Sequence, residues 1–257
     1  MSAPCFGVDI GGSRVKLGVV DEAGVVLARE SLPYPAFRDF EALEDGIVAA
    51  LSAMQRRIGQ ECLALGLAAP GHARPEDGLM VDGTANVPLL RGRALAPRLA
   101  ARLGLAVFPL NDGTAAAVGE WIHGAGQSRE RFAVITLGTG VGGGIVLHGR
   151  LVTGAGGIPP ELGAMVLHDD RAPGARRTLE DFAGAAGWRQ AYREAGGGDL
   201  EPRVICGRAV QGEAAAGAAL AVAARRIAQA CGTLTNALNL EACILAGGIA
   251  GAGETLR

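Results

Sequence analysis

Glycine in this chain is clustered, and the places where it clusters limit what the chain can fold into. The 41 glycines concentrate at Asp9-Ile10-Gly11-Gly12, at Gly138-Thr139-Gly140-Val141-Gly142-Gly143-Gly144, at Gly154 to Gly157 and at Gly247-Gly248. The first two clusters and the last follow short apolar runs rich in Val, Ile and Leu. Glycine costs more backbone entropy on folding than any other residue. Clusters at strand ends therefore imply turns whose backbone must come close to a ligand. A phosphate chain fits, because successive backbone N–H groups form anion-binding concavities. Midway along the chain, Asn111-Asp112 closes another apolar run. The layout implies a phosphoryl-transfer enzyme with a cleft.

Of the 257 residues, 49% are hydrophobic, so a sizeable core forms easily and one or two domains are allowed. The net charge is −2, from 24 basic and 26 acidic residues spread along the chain. No basic block gives a nucleic-acid footprint. A small polyanion is not excluded, since backbone amides bind phosphate without net charge. The cysteines, Cys5, Cys62, Cys206, Cys231 and Cys243, are odd in number and form no Cys-x-x-Cys pair. Free thiols in a reducing compartment follow. No secretion signal and no run of membrane-spanning length is evident. The expectation is a soluble, cytoplasmic protein with no membrane or nucleic-acid partner.

The opening reads as a meander. Cys5 to Val20 predicts strand, Gly turn and strand, Asp21-Glu22-Ala23-Gly24 a hairpin turn, and Val25 to Glu30 a third strand. Leu43, Ile47, Ala50, Leu51 and Met54 fall at helical spacing within Phe40 to Arg57. Strands are predicted at Leu63 to Ala68 and Leu105 to Leu110, with a helix between them at Leu95 to Leu103. A helix follows at Thr114 to Trp121. Phe132 to Leu137 and Gly144 to His148 read as strands around a Gly turn, repeating the logic of residues 9 to 18. Residues 154 to 175 read as loop. Leu179 to Glu194 and the Ala-rich stretch Ala209 to Ala237 read as helical, and Ala242 to Ala246 as a last strand. The expected domains are 1–115 and 116–257. Little chain follows Gly248, so a sheet ending there is expected to leave an edge for a partner subunit or for further chain to cover.

No Walker loop is present. Gly138, Gly140 and Gly143 match Gly-x-Gly-x-x-Gly, but a strand and not a helix is predicted after them, which argues against a dinucleotide fold. Taken together, Asp9-Ile10-Gly11-Gly12-Ser13, Leu110-Asn111-Asp112, the 138–144 cluster and Leu245-Ala246-Gly247-Gly248 resemble the ROK family of bacterial sugar kinases and related repressors. That family belongs to the actin-like ATPase superfamily.

The resemblance implies an α/β, two-domain actin-like ATPase (ribonuclease H-like) fold, with mixed sheets and flanking helices closing over a sugar and ATP. It implies an N-terminal sugar kinase domain and a C-terminal nucleotide- and sugar-binding domain. Gly11, Gly12 and Ser13 are then expected to approach the ATP phosphates, and Gly138, Thr139, Gly140 and Gly142 to do so from the second domain. Gly247 and Gly248 fall near the adenosine. Asp9 is expected to position Mg²⁺, through water.

A sugar hydroxyl is a weak nucleophile, and a carboxylate in hydrogen-bond reach can take its proton. Asp112, at a strand end, is the candidate general base, with Asn111 orienting the sugar. Simple capping of the following helix is the plain alternative. Asn86, in Thr84-Ala85-Asn86-Val87-Pro88, resembles a sugar-binding position. Glu161 and Glu180 resemble the two family glutamates that reach the sugar, a role suited to carboxylates facing adjacent hydroxyls.

Two departures stand out. Where the family carries Glu-x-Gly-His, this chain has Glu161-Leu162-Gly163-Ala164, and no cysteine lies between His168 and Glu180. No zinc site is expected, because zinc favours thiolate and imidazole ligands and adjacent residues such as His168, Asp169 and Asp170 rarely form one. The substrate expectation is the 6-hydroxyl of glucose or of an amino or N-acetyl hexose, in a homodimer. The alternatives are a non-catalytic sugar-binding or assembly protein, or a sugar kinase using polyphosphate. A repressor would need a DNA-binding region ahead of Asp9.

Overall fold

The computed structural model describes residues 3–154, 157–169 and 176–250. Asp170, the middle of the 154–157 glycine cluster and the chain after Ala250 lie outside the described residues. Two compact units form: Met1–Ala115 with Gly154–Pro159, and Ala116–Thr153 with Pro160–Arg257.

The first unit begins with a meander of β1 (Cys5–Ile10), β2 (Arg14–Val20) and β3 (Val26–Pro33). Phe6, Val8 and Ile10 alternate into the core with Val15, Leu17 and Val19 opposite them, the period-2 pattern of a half-buried sheet. Helix α1 (Phe40–Ile58) starts where the Asp39 side chain accepts from the Ala42 N–H at 2.7 Å, and ends at Gly59 in left-handed conformation. Its Leu43, Ile47, Leu51 and Met54 are buried. Strand β4 (Ala64–Ala69) then returns parallel to β1. The short β5 (His72–Ala73) and β6 (Met80–Asp82) pair with each other. Helix α2 (Leu95–Leu103) leads to β7 (Ala106–Asn111), parallel to β4, giving the sheet order β3-β2-β1-β4-β7. Helix α3 (Asp112–His123) follows at once.

The second unit repeats the plan. β8 (Arg131–Leu137), β9 (Val141–Leu147) and β10 (Arg150–Leu151) form a meander. After β11 (Val166–Leu167) and β12 (Arg177–Thr178) come α4 (Leu179–Ala183), α5 (Ala185–Glu194), α6 (Pro202–Val210) and α7 (Ala214–Leu238). Strand β13 (Ala242–Ala246) then lies parallel to β8, in the order β10-β9-β8-β13, and α8 (Gly247–Ala250) opens directly from it.

Three sequence expectations change. The turn after β8 is only Gly138 to Gly140, and Gly142 to Gly144 lie inside β9. A Cβ at Gly143 would strike the Val134 carbonyl, so glycine here permits close backbone packing and not a turn. The helix expected over Leu179 to Glu194 breaks at Gly184, whose extended backbone caps both α4 and α5. The Ala-rich helix is two, α6 and α7, separated at residues 211–213.

Candidate active site

In the first unit the candidate residues gather at the C-terminal ends of β1 and β7. The β1–β2 turn closes where the Gly11 N–H donates to the Arg14 carbonyl at 2.9 Å. That register sets Asp9 opposite Lys16, and Lys16 Nζ pairs with Asp9 Oδ2 at 2.9 Å. Lys16 is the contact that sequence reasoning missed, although the turn length alone places it across from Asp9. A Cβ built on Gly12 would lie 2.6 Å from the Asn86 carbonyl oxygen. Glycine is required at this close approach, which brings Gly12 and Asn86 together. Ser13 adjoins them in the exposed part of the turn, and its carbonyl accepts from the Tyr34 N–H.

Asn111 and Asp112 divide their work. The Asn111 Oδ1 accepts from the N–H groups of Gly113 and Thr114, at 3.0 and 3.3 Å, capping α3. Its Nδ2 donates to the Gly71 carbonyl at 3.1 Å. Asn111 thus ties β7, α3 and the Pro70-Gly71 turn together, with one amide hydrogen left over. Asp112 is the first residue of α3, and its Oδ1 accepts from the Gly113 N–H at 2.8 Å. The residue is exposed as a whole, yet its carboxyl is partly withdrawn from water. This desolvation is the main cause that lifts the carboxyl above its ordinary range, and the charge of Asp9 adds to it; the Gly113 N–H pulls the other way. The side-chain cap of α3 is therefore supplied by Asn111, which leaves Asp112 Oδ2 outside the capping bonds.

In the second unit a separate group forms around the β8–β9 turn. The turn closes where the Gly138 N–H donates to the Gly140 carbonyl at 3.0 Å. The Ala185 N–H, at the start of α5, donates to the carbonyls of Gly138 and Thr139. Glu180 Oε2 accepts from the Val141 N–H at 2.8 Å, and a Cβ on Gly140 would strike that carboxylate. Glu161 precedes a 3-10 turn at Leu162–Ala164, and Gly163 of that turn packs on the Val141 carbonyl. Ala164 is exposed beside it. Gly247, at a φ of +94°, abuts Leu137, the residue before the turn, and the Gly248 carbonyl accepts from Arg203 Nε. Glu180 and Gly247 are thus seated against one hairpin, and Glu161 leads into the 162–164 turn that packs on it. Gly142 lies past the turn, paired with Thr136.

Residues 5–257 match the ROK family. The chain belongs to the ROK family. It is 36% identical over 165 residues to the glucokinase of Streptomyces coelicolor, a match covering 64% of this chain and 50% of that protein. The chain thus spans about half the length of this curated relative. It is 31% identical to the glucokinase of Halalkalibacterium halodurans, across 97% of this chain and 82% of the relative. Among solved structures, a ROK family glucokinase from Streptomyces griseus in complex with glucose and AMPPNP superposes with a TM-score of 0.82 at 28% identity. That superposition covers 98% of this chain and 86% of the S. griseus chain. The α/β architecture with its two mixed sheets is the actin-like ATPase fold common to ROK kinases. Among the described residues, no helix is long and apolar enough to cross a membrane.

Proposed function

We propose that this ROK protein transfers the γ-phosphoryl group of ATP to a hexose hydroxyl, with Asp112 as general base. The observation that carries the reading is the Asp112 carboxyl: desolvated, lifted by Asp9, and fixed on the first turn of α3 by its own backbone neighbour. A base whose pKa is raised toward the working pH is better matched to taking a hydroxyl proton. As the sugar oxygen attacks phosphorus, its proton passes to Asp112, and the bond from the γ-phosphorus to the bridging oxygen of ADP breaks.

The remaining assignments follow from position. The exposed turn of Gly11, Gly12 and Ser13, and that of Gly138, Thr139 and Gly140, offer backbone N–H groups to phosphate oxygens. Asn86 and Glu161 face sugar hydroxyls. Glu180 has one oxygen in the Val141 bond and one for a hydroxyl. Lys16 neutralises Asp9 until nucleotide arrives. Among the described residues, no three His, Cys, Asp or Glu side chains come together. Asp9 and Asp112 are nonetheless oxygen donors in electrostatic contact, which suits Mg²⁺, an ion usually held by one or two carboxylates, waters and substrate phosphates. When bound, Mg²⁺ neutralises phosphate charge. The sugar is proposed to be glucose or an amino or N-acetyl hexose, phosphorylated at the 6-hydroxyl, in a cytoplasmic homodimer.

The test is a coupled nucleotide-release assay across a hexose panel, with ATP and with polyphosphate as donors. ADP release dependent on one or a few hexoses supports the reading. Turnover with polyphosphate alone overturns the ATP assignment, and sugar binding without turnover under either donor overturns the kinase assignment.

A further inference from the structure

Asp169, just after β11, is only 3% exposed. A carboxylate that deep needs cations around it, and two arginines provide them. Arg177 Nη1 donates to its Oδ2 at 3.2 Å, and Arg226 Nη2, from the middle of α7, lies 3.8 Å from its Oδ1. Arg226 is itself buried, and donates also to the His168 carbonyl and to Gln229 Oε1. Both guanidinium groups sit over the Phe182 ring, with Cζ 4.0 Å from the centroid for Arg177 and 4.7 Å for Arg226. The recess beside them is lined also by Gln190 and Glu194 of α5. The tail of β11, the β12–α4 junction and α7 thus meet at one point.

That point bears on the β8–β9 turn through α4. A five-residue helix does not hold its own direction in water, so its contacts set it. The Leu179 N–H donates to the Met165 carbonyl at 2.9 Å, the Thr178–Asp181 capping box closes the first turn, and Arg177 Nη2 donates to the Asp181 carbonyl at 3.0 Å. Phe182, under both arginines, is two residues from Glu180. Glu180 in turn holds the Val141 N–H. We propose that Asp169, Arg177 and Arg226 form an ionic clamp on Phe182 that positions Glu180, and through Glu180 holds the Gly138–Gly140 turn in the shape that receives a phosphate chain. These three are positioning residues, and the functional half of the proposal rests on the kinase reading above.

The test separates the two halves. Amide hydrogen exchange is followed in nucleotide-free protein for a peptide covering 138–144, in wild type, Arg177→Lys and Asp169→Asn. Each substitution is repeated in a Glu180→Gln background. Arg177→Lys keeps the charge but loses the fork that reaches both Asp169 and Asp181. It is expected to speed exchange in 138–144 by about tenfold while peptides from the rest of β8 and from α7 stay protected. It is also expected to raise the ATP KM by about tenfold while changing kcat by less than about threefold, the signature of lost uniform binding. In the Glu180→Gln background the added effect of Arg177→Lys should shrink below about twofold, because the pathway has already been cut. If Asp169→Asn fails to fold, Arg177→Lys decides the question. Unchanged exchange in folded Arg177→Lys, or effects that simply multiply in the double variant, overturns the clamp. A wild type that turns over no hexose overturns the kinase reading and leaves the exchange result to stand by itself.

Discussion

The two units carry the same device and hold it in different ways. Each has a strand, a glycine turn and an antiparallel return strand, followed by a helical connection to a parallel strand beside the first. In the first unit the turn is held by backbone: Gly12 lies against the Asn86 carbonyl, and among the described residues no carboxylate bonds the turn. In the second, a carboxylate does the holding, with Glu180 accepting from Val141. The contrast separates two uses of an acid. Glu180 meets a donor from the turn it holds, so it acts as a strut. Asp112, partly dry and near a second negative charge, binds a proton more tightly than an ordinary carboxylate, which suits the base role proposed for it. Similar topology therefore does not make the two acids equivalent, and substitutions should tell them apart.

The largest difference is expected at Asp112. Asp112→Asn removes the proposed base but retains an oxygen for the Gly113 N–H. Turnover should fall by about 10²–10⁴-fold, the usual contribution of general acid–base catalysis, with sugar binding retained. Stability should move the other way. The Asp112 carboxyl binds its proton more tightly when folded than when unfolded, where its pKa is ordinary. The stability it contributes is complete at low pH and is lost as pH rises through the raised value. At neutral pH the ionised group is a cost, so Asp112→Asn should melt at an equal or higher temperature. Unchanged turnover would reject Asp112 as the base.

Next in size is a pair of alanine substitutions that tests how each turn is held. In Gly12→Ala the new Cβ meets a backbone oxygen, and no neighbouring side-chain change can clear it. A destabilisation of about 1–3 kcal/mol is expected, as for overpacking in general, and Asn86→Ala should leave that figure intact. In Gly140→Ala the obstacle is the Glu180 side chain. Its cost should largely disappear in a Glu180→Ala background. Chemical denaturation of the four single variants, the two double variants and the wild type measures both couplings. Equal coupling in the two units would erase the contrast between backbone and side-chain support.

Much of this was legible in the sequence, and the reasons for what was not are local. The β1–β2 and β8–β9 hairpins are visible because apolar alternation stops at glycines, whereas the pairing of Asp9 with Lys16 is legible only once the length of the Gly11–Ser13 turn is known. β5 and β6 escape notice because two or three residues give no periodicity. The break at Gly184 is hidden because residues on both sides keep helical spacing, and only the bonds from Ala185 to Gly138 and Thr139 explain why the chain turns there. The glycines of β9 look like turn from composition, yet Gly143 lies inside the strand and lets the Val134 carbonyl come close to its backbone. The role of Asn111 as a cap and tie depends on Gly71, 40 positions away. The Arg226 bond to His168 spans 58 positions and has no sequence signature at all.

A subtler difference concerns charge within the first unit. Because Asp9 adds to the lift on Asp112, the acid limb of kcat/KM, which reports groups on the free enzyme, should lie above 3.8, the ordinary value for this carboxyl. Asp9→Asn should move that limb to lower pH even as overall activity falls. Glu180→Gln, in the unit whose acid is a strut, should leave the limb where it is. A limb that follows Glu180 and ignores Asp9 would exchange the two roles.

The smallest expected effect uses four of the five cysteines, an interacting pair from each unit. In the first, burial and then the neighbouring Cys5 push the Cys62 thiol up to about 11. In the second, the Cys231 thiol lowers the Cys243 pKa below the usual range, burial opposes it and the Thr235 hydroxyl adds to the lowering. Thiolate is the reacting species. At neutral pH, iodoacetamide should therefore modify Cys243 at least about tenfold faster than Cys62, although the lower basicity of Cys243 takes back part of that advantage. Peptide mass mapping over a time course reads the order. The contrast depends on Cys231, since it is the first cause of the shift at Cys243. Cys231→Ala removes that donor and leaves the burial that raises a thiol, so Cys243 should slow toward the rate of Cys62. A Cys243 rate that survives Cys231→Ala would assign the activation to Thr235, and Thr235→Val would then have to abolish it.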